Sequence, residues 1–236
     1  MIRWANLFEY VGDVANDAIT RIVEAIRTVF EGDPETRRQV AFSVAMIALS
    51  AKMAKADGVV THREVDAFRS IFAIPRNEEA NVARLYNLAK QDVAGFDHYA
   101  RKLAGLCGSG DRNCLLLEDI LDGLFHIAKS DGAVHDAELH FIERVAEIFS
   151  VDESHFGRIL ARHVEGRGYD PYAILGVTPE TEFPEIRRRY RQAVAENHPD
   201  RLIARGVPEE FLAIANDRMA ALNNAFDAIE KARLAA

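Results

Sequence analysis

Residues 171–201 read PYAILGVTPETEFPEIRRRYRQAVAENHPDR, and this stretch decides the C-terminal architecture. A short apolar turn ends at Gly176, and a helical pattern then runs from about Glu182 to Glu196. The pattern stops at His198-Pro199-Asp200, because a proline disfavours the helical conformation in the residue before it. After Gly206-Val207-Pro208 a second long helical pattern runs from about Glu209 to Ala232. Tyr172, Leu175, Ile186, Tyr190, Ala193, Leu222, Phe226 and Ile229 fall at helical spacings. They can fill the core of an antiparallel helical hairpin closed by the short first helix, with residues 198–208 as the loop between its arms.

The outer face of the first arm is basic. Arg187 and Arg191 are i, i+4 neighbours with Arg188 alongside, a local positive patch on an acidic chain. Such a patch suits an acidic protein partner and speeds encounter with it. A solvated basic face is the plainer alternative. His198 beside Asp200 could suggest acid–base catalysis. No nucleophile, third partner or phosphate-cradling glycine loop accompanies them, so the chain is read as a non-enzyme.

Upstream, nearly every segment also runs at helical period, and no stretch alternates strictly enough for a strand. Asp33-Pro34 opens a helix that carries apolar residues through Met53, and further helices are expected near 61–72, 76–90, 96–105, 112–130, 136–149 and 153–164. Their short connections favour an antiparallel bundle. Residues 1–33 form one amphipathic stripe, and Glu165 to Asp170 are the linker. The expected organisation is therefore an N-terminal helix (1–33), a helical domain (34–165) and the hairpin domain (170–236).

The helical domain contains an internal repeat. Ala54 to Val60 followed by Glu64 matches Ala128 to Val134 followed by Glu138, with Asp131 74 residues after Asp57. Two copies suggest a pseudo-twofold bundle. The Asp-Gly spacing invites an EF-hand reading, but the first two ligand positions would fall on Met53 and Lys55, and in the second copy on Ile127 and Lys129. That reading fails. Two remain: a glycine turn followed by a capping glutamate, or convergence of Asp57, Glu64, Asp131 and Glu138 on a divalent cation.

Composition bounds the class. The 236 residues carry a net charge of −8, against a general nucleic-acid binder. Cys107 and Cys114 fit no common zinc knuckle and are read as reduced thiols. His62, His126, His135, His140, His155 and His163 show no metal-ligand spacing. The longest run without a charged residue or Gln, Val40 to Ala51, is too short for a membrane helix, and Glu9, Asp13 and Asp17 interrupt any signal-peptide core, so a soluble chain is expected.

The repeated acidic turns over 40–164 resemble those of the TerB (tellurite-resistance) helical domain, a family associated with acidic clusters, and this resemblance adds weight to the cation reading. Tyr172-x-x-Leu175-Gly176, the basic helix, His198-Pro199-Asp200 and the closing helix resemble a J domain, the DnaK-activating module of co-chaperones. In that order, with the expanded loop 200–208, the two parts resemble the DjlA-like family of bacterial co-chaperones. The expected fold is thus all-α, a TerB-like bundle followed by a J-domain hairpin. The resemblance implies a DnaK-type partner contacted by His198, Pro199, Asp200, Arg187, Arg188 and Arg191, with the TerB-like part serving targeting, client contact or regulation. It requires no cofactor beyond the candidate cation. It implies the cytoplasm, free or peripheral to the inner membrane, although residues 1–33 depart from the family's transmembrane segment. The rival reading is a stress-response or metal-sensing scaffold with a degenerate J-like tail.

Overall fold

The computed structural model describes residues 34–56, 83, 86, 87, 89, 90, 96–105, 114–164, 170–204, 207 and 211–234. Among these every regular element is a helix. They are α1 (Pro34–Ala56), α2 (Phe96–Ala104), α3 (Leu115–Ala128), α4 (Asp136–Ile148), α5 (Glu153–His163), α6 (Pro171–Leu175), α7 (Phe183–Glu196), α8 (Pro199–Ala204) and α9 (Leu212–Leu234). The expected N-terminal helix and the first copy of the acidic repeat from Asp57 onward lie outside the described residues.

Residues 42–54 of α1 are buried on every side, even Ser43, Ser50 and Lys52. A helix apolar all round belongs at the centre, and α2, α3 and α4 pack against it. The second acidic turn has the geometry its residues favour. Gly132 adopts φ 113, a left-handed turn that side chains resist, and the buried Glu138 carboxylate accepts the His135 N–H at 2.9 Å where α4 begins.

The hairpin is antiparallel: Tyr190 Oη donates to Asn223 Oδ1 at 2.9 Å, while Arg187, one turn earlier, meets Glu230, two turns later, at 3.7 Å. Ile174, Leu175, Ile186, Leu222, Ala225 and Ile229 form its core, with Tyr172, Tyr190, Ala193 and Phe226 partly buried around it. Asp170 caps α6 by accepting from the Tyr172 and Ala173 N–H groups, Pro171 follows at the first helical position, and Gly176 closes the turn at φ 66.

The two units share their interiors. Leu202, Val207, Phe211, Ile214 and Ala215 are buried in the cluster built on α1 and α3, and Ala161 of α5 packs against the hairpin core. Two expectations are corrected here. Residues 198–208 are not all loop: Pro199–Ala204 are helical, because Leu202 can bury one face of a helix against the bundle. Cys114 is not a reduced thiol but disulfide-bonded. The only other cysteine, Cys107, lies outside the described residues, and a spacing unsuited to zinc still suffices to close a short disulfide loop.

Candidate functional site

His198-Pro199-Asp200 sits where α7 ends and α8 begins. Proline serves well at a first helical position, because the N–H it lacks would have no helical acceptor. His198 precedes it as the cap: its carbonyl accepts the Arg201 N–H at 2.8 Å and its ring Nδ1 accepts the Asp200 N–H at 3.3 Å. The Asp200 carboxylate lies 3.5 Å from the same ring nitrogen. Both side chains stand in solvent, 54% and 88% exposed, so a partner can reach them without rearrangement.

The arginines continue this surface along α7. A hollow of about 450 Å³ is lined by Tyr190, Arg191, Val194, Ala195, His198, Asp200 and Arg201. A second, of about 370 Å³, is lined by Phe183, Pro184, Arg187, Arg188 and Arg191. Arg191 belongs to both, so the basic face and the tripeptide form one strip. Two of the arginines are held in place: Arg188 bonds Glu185 through Nε and Nη2, each at 2.7 Å, and the Arg187 guanidinium lies 5.0 Å over the Phe183 ring. Of the six expected contact residues, Arg187, Arg188, Arg191, His198 and Asp200 line these hollows, and Pro199 sits between the last two. Of the four expected cation ligands, Asp57 and Glu64 lie outside the described residues. Glu138 is engaged at a helix start and Asp131 ends the short 3₁₀ turn Lys129–Asp131. Among the described residues no group of three or more His, Cys, Asp or Glu side chains is arranged to hold a metal.

Behind the strip lies a buried charge network. Glu118, Asp119 and Asp122 of α3 are 3–4% exposed or less. Arg162 of α5 bonds Glu118 Oε1 at 2.8 Å and both Asp122 oxygens at 3.2 Å. Arg218 of α9 bonds Asp122 Oδ2, meets Asp119 Oδ1 at 2.9 Å and donates to Asn197 Oδ1 at 2.5 Å. His155 accepts from Arg158 at Nδ1 and donates from Nε2 to Glu118, and His163 Nε2 donates to Asp122 Oδ1 at 2.5 Å. Burial alone would raise the carboxyls. For Glu118 the His155 bond and the two arginines overcome it, holding the group well below 4.5. For Asp122 the arginines and His163 do the same, holding it well below 3.8. Burial opposes the Arg218 charge, and Asp122, Asp119 and Glu118 outweigh it, so the guanidinium is held above its ordinary range. Burial also pushes His163 below 6.5, consistent with a neutral ring that donates to Asp122.

Sequence reasoning missed this network and treated His155 and His163 as isolated. The available signal was Glu118, Asp119 and Asp122 within LLLEDILDGLFHIA: three acids in an otherwise apolar helix that is buried nearly throughout. Buried carboxylates require cationic or hydrogen-bonding partners, but a helix does not say which ones.

The family model for "Tellurite resistance protein TerB" matches residues 43–161. The chain therefore belongs to the TerB family of helical proteins. It is 27% identical to "Co-chaperone protein DjlA" of Photobacterium profundum over 82% of this chain and 78% of that one. It is 28% identical to the DjlA of Legionella pneumophila over 81% and 76%, and 26% identical to that of Vibrio parahaemolyticus over 86% and 82%. These alignments cover more than the TerB region alone, and the chain is DjlA-like. No solved structure matches it. No described helix is long and apolar enough to cross a membrane.

Proposed function

We propose that this chain is a J-domain co-chaperone that binds a DnaK-type chaperone through the strip from Arg187 to Asp200 and stimulates its ATP hydrolysis. The observation that carries the reading is the continuity of that strip: exposed His198 and Asp200 adjoin the α7 arginines through Arg191. The resemblance of Tyr172-x-x-Leu175-Gly176 and His198-Pro199-Asp200 to a J domain, and the names of the DjlA relatives, support it. The arginines draw in an acidic partner surface. His198, Pro199 and Asp200 then bind one conformation of the partner better than the other, and that difference shifts its equilibrium toward hydrolysis. The reacting groups belong to the partner.

The test is single-turnover ATP hydrolysis by a bacterial DnaK with the full chain as wild type or His198→Gln. Stimulation by wild type and its loss in the variant are expected. Equal stimulation by both proteins, or none by wild type, would count against the proposal.

A further inference from the structure

The turn that carries His198 is built from both sides of the shared interior. Asn197, the last residue before it, is only 7% exposed. Its amide Nδ2 donates to the Ala193 carbonyl at 2.7 Å, and its own N–H donates to the same oxygen at 3.1 Å, closing α7. Its other side-chain polar atom, Oδ1, accepts from Arg218. Arg218 in turn is held by Asp119 and Asp122 of α3, in the TerB-like part. Three elements thus meet at one guanidinium. Arginine suits this position because its planar fork addresses several acceptors at once in fixed directions, which an ammonium group does not. On the far side of the turn, Leu202 is buried in the cluster built on α1 and α3, and its carbonyl accepts the Val207 N–H at 3.0 Å. The polar residues of the turn face solvent while both of its ends are fastened to the bundle.

We infer that Arg218 is a positioning residue: through Asn197 it fixes the His198-Pro199-Asp200 turn on the acidic helix α3, so the TerB-like part serves as the seat of the chaperone-contact site. The link to chaperone stimulation rests on the function proposed above, whereas the link to the shape of the turn does not. Neither Arg218 nor Asn197 lines the exposed strip. Their effect on a partner therefore passes through the turn.

Two variants of the full chain test this. Arg218→Lys keeps a positive charge against Asp119 and Asp122 but loses the fork to Asn197. Asn197→Ala leaves the Arg218–carboxylate pairs in place and removes the link together with the Asn197 Nδ2 bond to the Ala193 carbonyl, a bond that Arg218→Lys keeps, so a rise in both variants belongs to the link. Hydrogen exchange is read at the amides of Arg201 and Leu202, both of which donate to the His198 carbonyl. Exchange there is expected to rise about tenfold or more in each variant, as for the loss of a buried hydrogen bond that holds a local structure closed. Amides in the middle of α7 are expected to keep wild-type protection, a pattern that general destabilisation would not give. With a bacterial DnaK, maximal stimulation is expected to fall about fivefold or more while the half-saturating concentration changes less than about twofold, because the encounter surface is intact. Wild-type exchange at Arg201 and Leu202 in Arg218→Lys, with or without a rise in Asn197→Ala, would overturn the positioning role. Raised exchange with undiminished stimulation would overturn its link to activity. If wild type fails to stimulate at all, the proposed function fails, and the exchange measurement still decides whether Arg218 positions the turn.

Discussion

Phe211 offers the most direct probe of how tightly the two parts are joined. It precedes α9, belongs to the hairpin part of the sequence, and is 2% exposed inside the cluster of the other part. Its ring meets Phe42 of α1 edge-on, with centroids 4.6 Å apart and planes at 86°. Phe211→Ala removes a fully buried ring from a site that α1 and α9 hold open, which costs about 3–5 kcal/mol. The edge-to-face contact accounts for about 0.5–1.5 kcal/mol of this beyond simple burial. At about 2–4 °C per kcal/mol for a chain of this size, Tm should fall by about 6–20 °C. Urea unfolding followed by circular dichroism measures the loss, and Phe42→Ala with the double variant isolates the pair. A coupling of about 0.5–1.5 kcal/mol is expected from that cycle. One cooperative transition shifted as a whole is expected, because each core contains residues of the other part. A loss below about 1 kcal/mol, or a biphasic wild-type curve in which Phe211→Ala moves one phase alone, would refute the shared interior.

Acid should destabilise the chain in two stages. The His163 ring is disfavoured as a cation when folded, so its contribution is complete above 6.5 and declines as pH falls below that value. Glu118 and Asp122 have folded values below 4.5 and 3.8, so their contribution is present above those values and is lost as pH falls toward the lower folded ones. Urea midpoints measured from about pH 7 down to about pH 3 should therefore fall monotonically, and a rise on acidification would contradict the network. Gly176→Ala should cost about 1–2 kcal/mol from the left-handed backbone alone. Its new Cβ would also lie 2.5 Å from Arg158 Cδ of α5, forcing that side chain away. Thermal unfolding of the variant reads the sum, and an unchanged Tm would show that the turn is not held in this conformation.

Much of the hairpin was legible because its signals are local. Asp170-Pro171 starts a helix, Gly176 stops it, and the spacing of Ile186, Tyr190, Leu222, Phe226 and Ile229 assigns one face of each long helix to a core. The exposed basic strip was legible for the same reason: Arg187, Arg188 and Arg191 lie on one stretch of a single helix. The turn at Gly132 and the cap at Glu138 also follow from adjacent residues. Helix α8 was not legible, since a six-residue segment that opens on a proline has no periodicity to read and gains its order from where Leu202 is buried.

The amino-acid sequence by itself therefore determined an all-helical chain, the limits of most described helices, and a surface strip from Arg187 to Asp200, because these depend on neighbours within a turn or two. Only the tertiary structure decided where the hairpin rests. Arg218 lies 96 residues from Asp122, and the bond between them forms only when α3 and α9 pack together. Three carboxylates on an apolar helix cannot be left dry and unpaired, and no spacing rule says that Arg162, Arg218, His155 and His163 will reach them. The same packing carries Phe211 to Phe42 and ties Asn197 to the bundle, turning two locally readable units into one interior.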